Sequence, residues 1–159
     1  MMSNNLKMKT MKRILATIIL ALFANVAFAQ TRFDLAKQEA TEKNEMIVLN
    51  FSGSDWCIPC IKLHKNFIET ETFQKLISDH VIVYLNADFP RSKKNQPIAT
   101  IKKENAALAD QYNPNGVFPY TILMDNNGKI LKTWDGLPSE DALSFTSEIK
   151  TEHQKIFKN

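Results

Sequence analysis

The chain has 159 residues, 44% of them apolar, 9% aromatic and 23% charged, which fits one globular domain and excludes a disordered or collagen-like chain. Its formal charge of +3 is local: Lys7, Lys9, Lys12 and Arg13 fall in residues 1–29, which hold no acid, and the remainder carries sixteen basic against seventeen acidic residues. A nucleic-acid-binding surface needs an excess of cations to neutralise phosphates, and the near-neutral remainder removes that reading.

The four leading cations lie in residues 1–13, and Ile14 to Phe28 are apolar except for Thr17 and Asn25. Ala27-Phe28-Ala29 then places small residues at the −3 and −1 positions of a cleavage site. Basic region, short apolar run and A-x-A together read as a secretory signal over residues 1–29, cut after Ala29. The alternative is a retained anchor, but the apolar run is short of the roughly 20 residues that span a bilayer. Met11-Lys12-Arg13 is an equally good start for the signal. The expected product is an exported domain, residues 30–159, periplasmic or secreted, with no stable membrane anchor.

Thr31 to Asn44 favours helix, with Phe33, Ala36 and Ala40 on one face. Met46 to Phe51 (MIVLNF) reads as a buried strand. Ser52-Gly53-Ser54-Asp55 breaks it, and a helix is predicted from about Cys57 to Phe67. Thr70 or Thr72 caps a further helical piece through Asp79. Val81 to Leu85 is a second buried strand, residues 86–97 a loop with Pro90, Pro97 and a basic cluster, and Ile98 to Tyr112 a helix. After the turn at Asn113-Pro114-Asn115-Gly116, Phe118 to Met124 is a strand. Asp125-Asn126-Asn127-Gly128 predicts a hairpin into Lys129 to Trp134. Pro138 and Ser139 open a last helix to about Lys150. A helix between the first two strands makes them parallel, and the hairpin makes the last two antiparallel. The expected fold is α/β, a central mixed sheet flanked by helices on both faces, with an extra helix at the N-terminus.

Cys57 and Cys60 are the chain's two cysteines. A disulfide across two intervening residues closes almost no loop, so it adds little folding entropy, and the spacing points to chemistry. At a helix start, unpaired backbone N–H groups and the helix dipole favour thiolate at Cys57. Cys60, one turn on, is expected to point further into the fold and to resolve a mixed disulfide formed at Cys57. Pro59 suits the first helical turn, where its missing N–H is not needed.

Phe51-Ser-Gly-Ser-Asp-Trp-Cys-Ile-Pro-Cys60, Gly116-Val-Phe-Pro-Tyr-Thr-Ile-Leu-Met-Asp125 and a closing hairpin with Gly136 together resemble the thioredoxin superfamily, over roughly Phe33 to Lys150. The subgroup it looks most like is exported, with a longer segment after the second strand, here Asp88 to Pro97. The resemblance implies a thioredoxin fold and a thiol–disulfide oxidoreductase without cofactor or metal. It makes Cys57 and Cys60 catalytic and lines the substrate groove with Trp56, Ile58, Pro59, Phe118 and Pro119. Pro119 is expected to follow a cis bond and pack on the disulfide, and the Phe118 backbone to pair with extended substrate. Phe118 is larger than the residue usual there, which narrows or re-aims the groove. Asn50 stands where the family carries a buried aspartate; it cannot exchange a proton near neutral pH, so the resolving step needs water or another group.

The implied partners are protein thiols and disulfides of the cell envelope and a redox partner that the sequence does not identify, with the chain acting as a monomer. The rival reading is a thioredoxin-like binding or metal-delivery module without turnover. Cys57, Cys60 and His64 fall at i, i+3 and i+7, a soft set suited to copper or zinc; against it, zinc normally takes four ligands. Ile61 follows Cys60 where haem attachment would need His. Arg91, Lys93, Lys94, Lys102 and Lys103 are read as a solvated loop and helix face. Phe33, Phe51, Phe67, Phe73 and Phe145 are read as core.

Overall fold

The computed structural model describes residues 30–158. The expected signal at residues 1–29 lies outside the described residues. Helix α1 (Arg32–Lys43) starts on a capping box: the Thr31 hydroxyl accepts the Asp34 N–H at 3.1 Å, and the Asp34 carboxylate accepts the Thr31 N–H at 3.2 Å. It ends where Asn44 turns left-handed at φ 56°, a conformation asparagine tolerates better than most residues. Phe33, Ala36 and Ala40 are its buried face, as the spacing predicts.

Strand β1 (Met46–Ser52) is buried at every position. It pairs in parallel with β2 (Ile82–Asp88) and antiparallel with β3 (Tyr120–Met124), and β3 pairs antiparallel with β4 (Ile130–Asp135). The order β2-β1-β3-β4 is the mixed sheet expected. Alternate residues of β1 feed two cores, because successive strand side chains point to opposite faces. Ile47, Leu49 and Phe51 pack with α1 and with Leu108 of α4 (Ala99–Tyr112). Met46 and Val48 pack under α2 (Ile58–Leu63), α3 (Glu71–Ser78) and α5 (Ala142–Phe157). All five phenylalanines expected in the core are there.

Two helices differ from expectation. The piece predicted as continuous from Cys57 to Phe67 is α-helical only to Leu63; His64–Ile68 is a π-helical turn closed by the Glu69 N–H on the His64 carbonyl at 2.9 Å. The wider turn carries two consecutive residues, Phe67 and Ile68, into one core. The final helix begins at Ala142, because the Asp141 carboxylate caps the Ser144 N–H at 2.7 Å. It runs to Phe157, past the predicted end near Lys150, held by Phe157 against the core and by His153 Nε2 on the Asn44 carbonyl at 2.8 Å. Between the two candidate caps of α3, Thr70 is the one used. In the hairpin, Asp125 Oδ1 accepts the N–H groups of Asn127 and Lys129, each at 2.9 Å. No helix among the described residues is long and apolar enough to cross a membrane.

Candidate active site

The site lies at the C-terminal end of β1, where the chain leaves the sheet through Gly53 to Trp56 and enters α2. The Gly53 carbonyl accepts the N–H groups of Trp56 and Cys57 at 3.2 and 2.9 Å, a tight turn that sets Cys57 as the cap of α2. Cys57 Sγ accepts the Cys60 N–H at 3.2 Å, so a backbone donor faces the sulfur, as the helix-start argument requires. Cys57 and Cys60 are joined, with S–S 2.04 Å. The two residues are covered almost equally, 5% and 3% exposed. Their difference lies in their surroundings, since helix position alone does not determine what else packs on a side chain.

Cys60 faces a cavity of about 350 Å³ that it lines with Asn50, Ser52, Ser54, His64 and Asn86, among others. Behind it β1 and β2 carry a polar ladder set by register, Asn50 opposite Asn86 and Ser52 opposite Asp88. Asn50 is 3% exposed; its Nδ2 donates to Asn86 Oδ1 at 3.0 Å and its Oδ1 accepts from Thr121 Oγ1 at 3.0 Å. Ser52 Oγ lies 3.1 Å from Asn86 Oδ1 and 3.0 Å from Asp88 Oδ1. Asp88 also accepts the Ser54 N–H at 2.9 Å and the Ser54 hydroxyl at 2.6 Å, bracing the loop before Cys57. Burial pushes the phenol of neighbouring Tyr84 above its ordinary range, so it stays neutral.

Around Cys57 the surface is aromatic. Trp56 meets Phe118 edge-on with ring centroids 5.6 Å apart, and Phe118 meets Phe89 at the same separation. The Trp56 indole N–H donates to the Phe89 carbonyl at 2.7 Å. The Phe118–Pro119 bond is cis, and Pro119 is buried. Ile58 and Pro59 are exposed, Ile58 to 63%.

Gly53, Phe89 and Asp55, to which sequence reasoning gave no role, and Arg91 complete this surface. A Cβ on Gly53 would stand 2.3 Å from Trp56 Cε2, so the indole sits where only glycine leaves room. Phe89 carries the indole's acceptor. Asp55 accepts the backbone N–H groups of Arg91 and Ser92, each at 2.8 Å, and Asn95 Nδ2 at 3.0 Å; the Arg91 N–H first, then the others, hold its carboxyl below the usual range. Arg91, read from sequence as solvated, lays its guanidinium 3.9 Å from the Trp56 ring centroid. The only signal for these contacts was Asp55 standing directly before Trp56.

His64, on the turn after Cys60, is half exposed with Nδ1 3.2 Å from Glu69 Oε1. Among the described residues no group of three or more His, Cys, Asp or Glu side chains is arranged to hold a metal ion.

Residues 33–146 match the family model of a thioredoxin-like domain. The disulfide bond reductase DsbH of Chlamydia pneumoniae is 30% identical over 116 residues, covering 73% of this chain and 67% of the relative. The thioredoxin-related protein DsbJ of the same organism is 27% identical over 135 residues, but the match spans 38% of its length. Among solved structures, a DsbH oxidoreductase superposes with TM-score 0.67 at 25% identity, over 80% of this chain and 83% of that one. A disulphide isomerase from Xylella fastidiosa superposes with TM-score 0.53 at 18% identity, over 79% of this chain and 94% of that one, a likeness of fold.

Proposed function

The chain belongs to the thioredoxin-like domain family and is a thiol–disulfide oxidoreductase, and we propose that it reduces protein disulfides in the cell envelope, with Cys57 attacking and Cys60 resolving. The observation that carries this reading is the Cys57 sulfur at the start of α2, taking the Cys60 N–H and bonded to Cys60 one turn away.

In the reduced protein, the N–H that faces Cys57 Sγ favours thiolate there over thiol. The thiolate attacks one sulfur of a substrate disulfide, forming a mixed disulfide and releasing the other sulfur as thiolate. Cys60 then loses its proton and attacks Cys57 Sγ; the second substrate sulfur leaves, and two electrons have passed to substrate. Because Cys60 is held one turn away, this second attack is effectively unimolecular and outruns any outside thiol. Asn50 and Asn86 hold no titratable proton, so the Cys60 proton leaves into the cavity, to water, which its volume admits, or to another group that lines it. A dithiol donor resets the pair. Trp56, Ile58, Pro59 and Phe118 form the groove, with Pro119 at its end and the Phe118 backbone pairing with extended substrate.

Reduction, rather than oxidation, follows the likeness to the Chlamydia relative, a disulfide bond reductase. The reading of residues 1–29 as a cleaved signal places the activity outside the cytoplasm, with residues 30–159 as the mature domain.

Cys60→Ser tests the mechanism. In cells the variant should accumulate covalent complexes with envelope proteins, seen as reducible bands on non-reducing gels, and the double change at Cys57 and Cys60 should show none. A clean monomer with an accessible Cys57 thiol would instead support a binding or metal-delivery module.

A further inference from the structure

Between Phe89 and Lys103 the chain has five basic residues and no acidic one. Outside residues 1–29 the charges nearly cancel, so this segment is a local excess on an otherwise balanced chain. It is fixed beside the redox pair. Trp56 donates to the Phe89 carbonyl, the Phe89 N–H donates to the Ser52 carbonyl at 2.8 Å, and Asp55 holds Arg91, Ser92 and Asn95. Asn105 Nδ2 ties the segment's start through the Asp88 carbonyl at 2.8 Å.

Resting on the thiol–disulfide reading above, we propose that the segment from Phe89 to Lys94 is a charge-selecting wall of the substrate groove, with Arg91, Lys93 and Lys94 favouring polypeptides that carry carboxylates beside the disulfide.

Three observations carry this. The Arg91 guanidinium stacks on Trp56, the residue directly before Cys57. No hydrogen bond between described residues uses the Arg91 guanidinium N–H groups, the donors that bind a carboxylate with two hydrogen bonds. Arg91, Lys93 and Lys94 are exposed, and none of them takes part in the ion pairs of the described residues. Asp55 and Asp88, on the inner side, keep their charge but already spend their oxygens as acceptors within the protein. Asp55 is occupied by this same segment, and Asp88 by Ser52 and Ser54. A substrate side chain reaching past Trp56 therefore meets cations that have no carboxylate partner among the described residues. Complementary charge at such a rim acts mainly on encounter and register, so its effect falls with salt. Attachment to the Trp56 surface favours a polypeptide substrate over a lipid surface as the source of the carboxylates.

The test uses three disulfide-linked peptide dimers with the same core sequence around cysteine and glutamate, lysine or neutral flanks. The chemically reduced protein is mixed with each in single turnover, and loss of its thiols is followed by quenching and mass spectrometry. At about 0.02 M salt, where the screening length is about 20 Å, the acidic dimer should react roughly threefold to tenfold faster than the basic one. At about 0.3 M salt, with a screening length near 6 Å, the ratio should fall towards one. Lys93→Glu with Lys94→Glu, both at exposed positions, should abolish or invert the ratio. Arg91→Lys should keep part of it and Arg91→Ala less. The ratio is internal to each variant, so a general loss of activity does not imitate the effect. Equal rates for acidic and basic dimers in a protein that reduces the neutral dimer would overturn the proposal and leave the redox reading standing. Equal rates together with co-sedimentation on anionic phospholipid vesicles would give the patch to a membrane and also overturn it. Failure to reduce any dimer would overturn the redox reading, and the proposal with it.

Discussion

The two faces of β1 are built on opposite principles. One face, Ile47, Leu49 and Phe51, is apolar to its end and packs with α1 and α4. The other begins in the same way with Met46 and Val48 and then switches to Asn50 and Ser52, below the helix that carries Cys60. Burying a large apolar side chain contributes about 1.5–3 kcal/mol, and a buried hydrogen bond nets only about 1 kcal/mol. The second face therefore gives up stability at its last two positions. What it gains is a polar cavity beside Cys60, where the proposed mechanism has the resolving thiol give up its proton. Stability and chemistry are separated across a single strand.

The largest effect that should separate the faces is Phe51→Ala. Phe51 is fully buried and stacks on Tyr120 at 6.3 Å, and its loss should cost about 3–5 kcal/mol in urea denaturation. The alkylation rate of Cys57 should not change. A smaller cost with an altered Cys57 rate would show that the faces are not separate.

Asn50→Asp probes the polar face with a smaller effect. It removes one of the two donors to Asn86 Oδ1, leaving Ser52 Oγ, and places a carboxyl at a site only 3% exposed. The expected cost at neutral pH is about 1–3 kcal/mol. Burial disfavours the charged form, so the folded pKa of the new carboxyl rises above the unfolded value near 3.9. The folded state then holds the proton longer, and the variant's stability relative to the parent should fall as pH rises from about 4 towards the folded pKa. The resolving step should also acquire a new pH dependence. A flat stability difference and an unchanged rate profile would place position 50 outside the site.

Much of this arrangement is legible from the sequence, because it is written in short-range patterns. The apolar runs Met46–Phe51 and Val81–Leu85, the hairpin at Asp125–Gly128 and the W-C-x-P-C run each signal their own local structure. The parts not legible depend on contacts between distant segments. The hold of Asp55 on residues 91–95 and the stack of Arg91 on Trp56 join positions more than thirty residues apart. No local propensity distinguishes such an arginine from a solvated one. The π-helical turn at His64–Ile68 was equally hidden, since it answers the need to bury both Phe67 and Ile68. The last helix outran Lys150 because Asn44 and the core hold its final turns.

The central claim is that the two cysteines differ by surroundings and not by exposure, with Cys57 as the attacking thiolate. Residue-resolved alkylation of the reduced protein by iodoacetamide, followed by mass spectrometry across pH, tests it most directly. The account predicts that Cys57 labels near pH 6–7, with a midpoint below the ordinary thiol value of about 8.5, while Cys60 lags behind. Equal, slow labelling of both thiols with midpoints near 8.5 would contradict it.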